Sequence, residues 1–258
     1  MDTNQPILTR CSDGIFQIVI NRPERKNALN EEMYRLMHTG LQEADASNDV
    51  RVVLLRGNGG VFTSGNDLKD FATISRSEST LDEYAALKLM RALLTFRKPV
   101  VAAVNGVAVG FGATLLLHCD LVVAERTAKF QLPFVRLGLV PEFCSSALLP
   151  ALAGRARASR RLMLGESFPA DEAFAMGLVS LMCDDGAAES IALEECCKLA
   201  ALPPETLQTI KAMINTPEKQ QQLLKVMDEE MERFNRCLKS PEHREALAAF
   251  FEKRAPRF

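Results

Sequence analysis

Two glycine-containing turns, each joining a strand to a helix, hold the first groups able to do chemistry: Phe62-Thr63-Ser64-Gly65-Asn66-Asp67-Leu68 and Asn105-Gly106-Val107-Ala108-Val109-Gly110-Phe111-Gly112. A glycine ahead of a helix lets the chain turn sharply and leaves main-chain N–H groups at the helix start without partners. Two such donors aimed at one point stabilise an oxyanion as it develops. Taken alone, each segment is more simply a tight turn. A third segment, Gly138-Leu139-Val140-Pro141-Glu142-Phe143-Cys144-Ser145-Ser146, sets one acid among apolar neighbours. Pro141-Glu142 by itself reads as a helix start with a surface acid compensating the dipole. The same carboxyl in an apolar pocket has a raised pKa and works as a base near neutrality.

Other chemistries lack their motifs. There is no G-x-x-x-x-G-K-[ST], no G-x-G-x-x-G and no G-x-S-x-G, so phosphate-loop, dinucleotide and serine-nucleophile readings have no support. Seven cysteines are scattered without C-x-x-C spacing, and three histidines lie far apart, which predicts no metal site, no disulfide framework and a reducing, intracellular setting. With 31 basic and 33 acidic residues, the net charge of −2 argues against nucleic acid and anionic membrane as partners. Pro99–Leu117 carries no charge and includes G-x-x-x-G, a membrane-helix signature. Pro99, Asn105 and three glycines interrupt it, however, so it reads as a buried strand and a turn, and no membrane span is expected.

The elements that must position these groups follow from periodicity. Strands are expected at the opening, over Ile15–Ile20, Val52–Leu55, 99–104, 121–124 and within Leu178–Met182. Helices are expected after the Asn30 cap, from the Thr80-x-x-Glu83 capping box to about Phe96, and near 111–118. Strand–helix alternation implies crossover connections and a largely parallel sheet. The tail is helical, with Thr216-Pro217-Glu218 and Ser240-Pro241-Glu242 as helix starts. A core over 1–197 and a helical region over 198–258 are the expected units.

The order N-R-P-x-x-x-N-A-L (Asn21–Leu29), S-G-N-D-L (Ser64–Leu68), K-P-V-x-A-x-N-G-x-A-x-G (Lys98–Gly110), Cys119-Asp120 and F-E-K-R-x-P-x-F (Phe251–Phe258) resembles the crotonase superfamily along essentially the whole chain. Ser-Gly-Asn-Asp-Leu, Leu-Pro-Phe-x-x-Leu-Gly and Pro-Glu-x-Cys-Ser-Ser resemble its peroxisomal-type Δ3,Δ2-enoyl-CoA isomerase branch. The resemblance implies an α/β crotonase fold, a spiral of ββα units with a helical C-terminal trimerisation region. It implies an acyl-CoA thioester as substrate, no separate cofactor, and a homotrimer or dimer of trimers.

By motif position, the resemblance makes the N–H groups of Asn66 and Phe111 the oxyanion donors and Glu142 the single catalytic acid. Phe111 replaces a common family glycine and is expected to bring a bulky ring near the acyl path. CoA is expected over Ser64, Gly65, Asn66, Asp67 and Leu68, beside Gly110. Arg25 and Lys26 are candidate phosphate contacts, and Lys253 is expected to reach CoA from the C-terminal helix, its own or that of a neighbouring subunit. Asp67 is also expected to cap the helix after its turn. The two carboxylates of hydratases fall at Thr114 and Phe134, so water activation is not expected. The rival expectations are another acyl-CoA reaction on the same fold and a non-catalytic acyl-CoA-binding scaffold. Without the S-K-L ending of peroxisomal relatives, the expected place is the cytoplasm.

Overall fold

The computed structural model describes residues 5–69 and 84–258. The chain opens with a hairpin of β1 (Ile7–Ser12) and β2 (Ile15–Ile20), turned by Asp13 and Gly14 at φ 52° and 77°. Positive φ at both central residues gives the hairpin a twist that matches its strands. Beyond β2 the sheet is parallel: β3 (Val52–Gly57), β4 (Val100–Val104), β6 (Leu121–Glu125) and β9 (Leu181–Cys183), in the order β1-β2-β3-β4-β6-β9.

Alternate residues of these strands feed two cores. Ile18, Ile20, Val53, Leu55, Val100 and Ala102 pack under α1 (Glu31–Ala46) and α2 (Ala85–Leu94). Ile15, Val52, Leu54, Val101, Ala103 and Val123 face Ala188, Ala192 and Cys196 of α7 (Ala188–Ala200). A sheet buried on both faces needs apolar side chains at every position, as the VVLL and VVAAV runs supply. Asn30 caps α1 by accepting from the Met33 N–H.

A second sheet, in the order β5-β7-β8, was not foreseen: β5 (Val107–Val109), β7 (Lys129–Gln131) and β8 (Phe168–Pro169). Strands of two or three residues are too short to show a period. The second glycine turn therefore contains a strand before α3 (Phe111–Thr114), and the expected helix over 111–118 tightens to a 3-10 turn from Leu115. The Thr80-x-x-Glu83 capping box lies outside the described residues.

After Pro141 the chain does not start a helix. Phe143 and Cys144 both have positive φ, 55° and 60°, and α4 (Ser145–Ala153) begins only after them. Next come α5 (Arg155–Leu164), α6 (Ala170–Ala175), α7 and α8 (Pro204–Ile214), then α9 (Pro217–Leu238) and α10 (Pro241–Glu252). Thr216 and Ser240 cap the last two, as the sequence implies. A part-buried ion pair ties α8 to the sheet: Lys211 donates to Asp120 Oδ2 and to the Lys98 carbonyl, both at 2.7 Å. Among the described residues no helix is long and apolar enough to cross a membrane.

Candidate active site

The first turn lies against β5. The Thr63 N–H donates to Val107 O at 3.0 Å, and the Val109 N–H donates to Thr63 O at 3.1 Å. Gly65 sits where a Cβ would lie 2.5 Å from Val109 O, with φ at 84°, so only glycine fits. The N-R-P-x-x-x-N motif scaffolds this turn. Buried Asn27 donates to Asn58 O and Val61 O at 2.9 and 2.6 Å and accepts the Arg22 N–H at 2.8 Å. Arg22 reaches Asp67 Oδ2 at 2.9 Å, and Asp67 Oδ1 accepts the Lys69 N–H at 3.1 Å, the expected cap.

Neighbouring N–H groups are used. Gly65 donates to Thr63 Oγ1, Asp67 to Leu29 O and Gly110 to Gln131 O. The N–H groups of Asn66 and Phe111 find no acceptor among the described residues. These are the two donors named by motif position.

A cleft of about 810 Å³ runs over the turns, lined by Arg25, Lys26, Ser64, Gly65, Asn66, Asp67, Leu68, Gly110 and Phe111. Arg254 lines its far side together with Phe250 and Phe251, whereas Lys253 does not line it. Lys253 is instead the left-handed cap ending α10, at φ 55°. Within one chain, then, the basic group of that segment at the cleft is Arg254.

Behind the cleft is a smaller apolar chamber of about 70 Å³, walled by Leu29, Tyr34, Leu87, Met90, Met231, Phe234 and Leu238, with Glu142 in its lining. Asn66, Asp67 and Phe234 border both spaces. Glu142 is 2% exposed, which rules out the surface-acid reading of Pro141-Glu142. Its Oε1 accepts from Thr114 Oγ1 at 2.6 Å. Burial pushes the carboxyl up to about 8, the nearby Glu230 adds to the rise, and the Thr114 hydrogen bond opposes it.

Four residues to which the motifs assign no role hold this corner. Tyr34 donates to Asn66 Oδ1 through a short bond, and its ring meets Phe111 edge-on at 4.9 Å. The Phe111 ring is fully buried and stacks on Phe143 at 5.6 Å, and Phe111 lines the cleft but not the smaller chamber. His118 stacks beneath Phe143 at 3.8 Å and meets the Phe143 carbonyl at 2.9 Å. Burial pushes its imidazole down to about 4, so the neutral ring donates. From α9, Glu230 accepts the Cys144 and Ser146 N–H groups at 2.6 and 2.9 Å. The fourth, Thr114, entered the sequence reading only as a missing carboxylate. Among the described residues no cluster of three or more His, Cys, Asp or Glu could hold a metal.

Known proteins similar to this chain include isomerases and a hydratase. The family model described as enoyl-CoA hydratase/isomerase matches residues 10–258. The chain is 36% identical over 257 residues to 1,2-epoxyphenylacetyl-CoA isomerase of Escherichia coli, covering 98% of this chain and 97% of that protein. It is 36% identical to human enoyl-CoA delta isomerase 2, covering 84% of this chain and 56% of that longer protein. It is also 32% identical to 2,3-dehydroadipyl-CoA hydratase of Escherichia coli, over 95% of this chain and 94% of that one. Among solved structures, an enoyl-CoA hydratase/isomerase from Pseudoalteromonas atlantica superposes with a TM-score of 0.92 at 37% identity, over 98% of this chain and 100% of that chain.

Proposed function

Because the chain belongs to the enoyl-CoA hydratase/isomerase family and has its crotonase fold, we propose that it is a Δ3,Δ2-enoyl-CoA isomerase of fatty-acid oxidation. The carrying observation is one buried carboxyl, Glu142, in a chamber that also meets Asn66. The thioester oxygen lies between the Asn66 and Phe111 N–H groups. Ionised Glu142 takes a proton from C2 of a 3-enoyl-CoA, leaving a dienolate whose negative charge the two donors stabilise. Protonated Glu142 returns that proton at C4, and the double bond ends conjugated with the thioester. CoA follows Ser64–Leu68 toward Arg25 and Lys26, and a neighbouring subunit of a homotrimer or dimer of trimers supplies Lys253. The cytoplasm is the proposed place of action.

The relative named as a hydratase favours a second reading, addition of water to a 2-enoyl-CoA. Against it, Thr114 and Phe134 occupy the hydratase acid positions, and neither side chain activates water. A silent acyl-CoA binder is the third reading, and it has no use for a buried carboxyl that, unlike Glu230, holds no main-chain N–H, since burial of an acid costs stability when it ionises.

An assay of 3-hexenoyl-CoA beside 2-hexenoyl-CoA separates the three. Formation of the conjugated thioester from the first is expected. Glu142→Gln, folded and still binding the CoA ester, should lose at least about 10² in turnover. Near-wild-type turnover in that variant would remove Glu142 from the role of base.

A further inference from the structure

The Thr114 hydroxyl has two oxygens within reach, Glu142 Oε1 at 2.6 Å and the Phe111 carbonyl at 3.2 Å. Thr114 and Phe111 are fully buried and Glu142 nearly so, which shields these bonds from bulk solvent. A hydroxyl has one hydrogen to give and lone pairs to receive with. Facing a carboxylate, it donates to Oε1. Facing a carboxylic acid, it turns its hydrogen to the Phe111 carbonyl and accepts from the acid O–H. A main-chain N–H or an ammonium could serve only the first of these states.

A base that removes a proton at C2 and returns it at C4 passes through both states in every turnover. In an apolar chamber, an unpaired oxygen in either state is costly. We propose that Thr114 is a positioning residue whose hydroxyl reverses its hydrogen bond to Glu142 as the acid gains and loses its proton, keeping both states paired. The inference rests on the reading of Glu142 as the base.

The surroundings leave this task to Thr114. Among the described residues it makes the one hydrogen bond to the Glu142 carboxyl. From α9, Glu230 faces the turn but spends its oxygens on the Cys144 and Ser146 N–H groups. Burial and the two acids push the Cys144 thiol up to about 12, so it carries no charge. His118 stays neutral behind Phe143, and Tyr34 of α1 donates across the chamber to Asn66. The Thr114 bond is the influence that holds the Glu142 carboxyl down against burial.

The experiment compares Thr114→Val, which keeps the shape without the hydroxyl, with Thr114→Ser, which keeps the hydroxyl. Glu142 is titrated in protein labelled with ¹³C at the glutamate carboxyls, its signal assigned by its loss in Glu142→Gln. In parallel, kcat and KM for 3-hexenoyl-CoA are followed against pH. Thr114→Val should raise the titration midpoint by about one pH unit or more and lower kcat about 10–100-fold, with KM changed much less. Thr114→Ser should restore most of both. The proposal is overturned if the valine variant keeps the wild-type midpoint and kcat, or if serine shifts them as far as valine does. Should the valine variant fail to fold, Thr114→Ala gives the same contrast against serine. If the wild-type protein does not isomerise at all, the reaction reading falls, while the titration midpoints still decide whether the hydroxyl governs the acid.

Discussion

The two sides of the chamber solve one problem in opposite ways. On the donor side, the chain bends at glycines: Gly65, Gly106 and Gly110 have φ of 84°, 64° and 55°. On the acid side, the bend after Glu142 falls on Phe143 and Cys144, at φ 55° and 60°, where side chains make that conformation costly. Each such residue costs on the order of 1–3 kcal/mol unless its surroundings hold it.

Here they do. Phe143 is clamped between Phe111 and His118, its carbonyl receives the His118 hydrogen, and Glu230 takes the Cys144 N–H. Glycines would have made a cheaper bend but a looser one, since glycine loses the most backbone freedom on ordering. Donor turns need only present main-chain N–H groups, whereas the acid turn must aim a side chain. The difference follows from what each turn delivers.

The largest expected effect comes from pushing the donor side apart. Gly65→Ala places a Cβ 2.5 Å from the Val109 carbonyl oxygen, a backbone atom that cannot step aside. The two turns must separate, displacing the Asn66 donor from its mate. Turnover of 3-hexenoyl-CoA should fall about 10²–10³-fold, the cost of losing one oxyanion donor. A variant that retains full activity would show that the two turns need not touch.

Next in size is a pH effect confined to the acid side. The Glu142 carboxyl titrates near 4.5 in a free chain and at about 8 in the fold. Between those values the folded protein holds a proton that the unfolded chain has released. Folding stability therefore falls as pH rises across this window, by up to about 1.4 kcal/mol per pH unit from this group alone, and levels off above about pH 8. Glu142→Gln lacks the group. Urea unfolding at about pH 5 and about pH 8 should show the variant gaining on the wild type as pH rises. A gap that stays constant would mean the acid is ionised throughout and the chamber is wet. The same ionisation sets activity, because the base must be a carboxylate: kcat/KM should climb with pH toward about 8 rather than being flat from 6.

The contrast between the sides also explains what could be read from the sequence. Glycines, the Asn30 cap and the prolines at Pro217 and Pro241 act through local backbone chemistry, so residue type alone announces them. The apolar runs of β2, β3 and β4 were equally legible, because a doubly covered parallel sheet requires them. The acid turn was not. Phe143 and Cys144 are unremarkable residue types for a bend, and what permits their conformation is contributed by His118 and Glu230, 25 and 86 residues away. Glu230 sits in the acid-rich run Asp228-Glu229-Glu230-Met231-Glu232, where nothing marks one acid as buried. The helix expected at Pro141 began later for the same reason. Strands β5, β7 and β8 were hidden by their brevity.

The smallest expected effect tests whether the two sides are coupled at all. Tyr34 touches both: its hydroxyl donates to Asn66 Oδ1, and its ring abuts Phe111, which stacks on Phe143 of the acid turn. Tyr34→Phe deletes only the hydroxyl and leaves the ring contacts. Asn66 is still fixed on either side, because the Leu29 N–H donates to Gly65 O and the Asp67 N–H to Leu29 O, both at 2.8 Å. One neutral hydrogen bond is worth about 0.5–1.5 kcal/mol, so kcat should drop no more than about tenfold, with KM nearly unchanged. Loss on the scale of Gly65→Ala would give the phenol a direct part in the chemistry, since it lines the same chamber as Glu142. No change in kcat would mean that the flanking main-chain bonds position the donor unaided. The donor and acid turns would then be independent devices that merely share a wall.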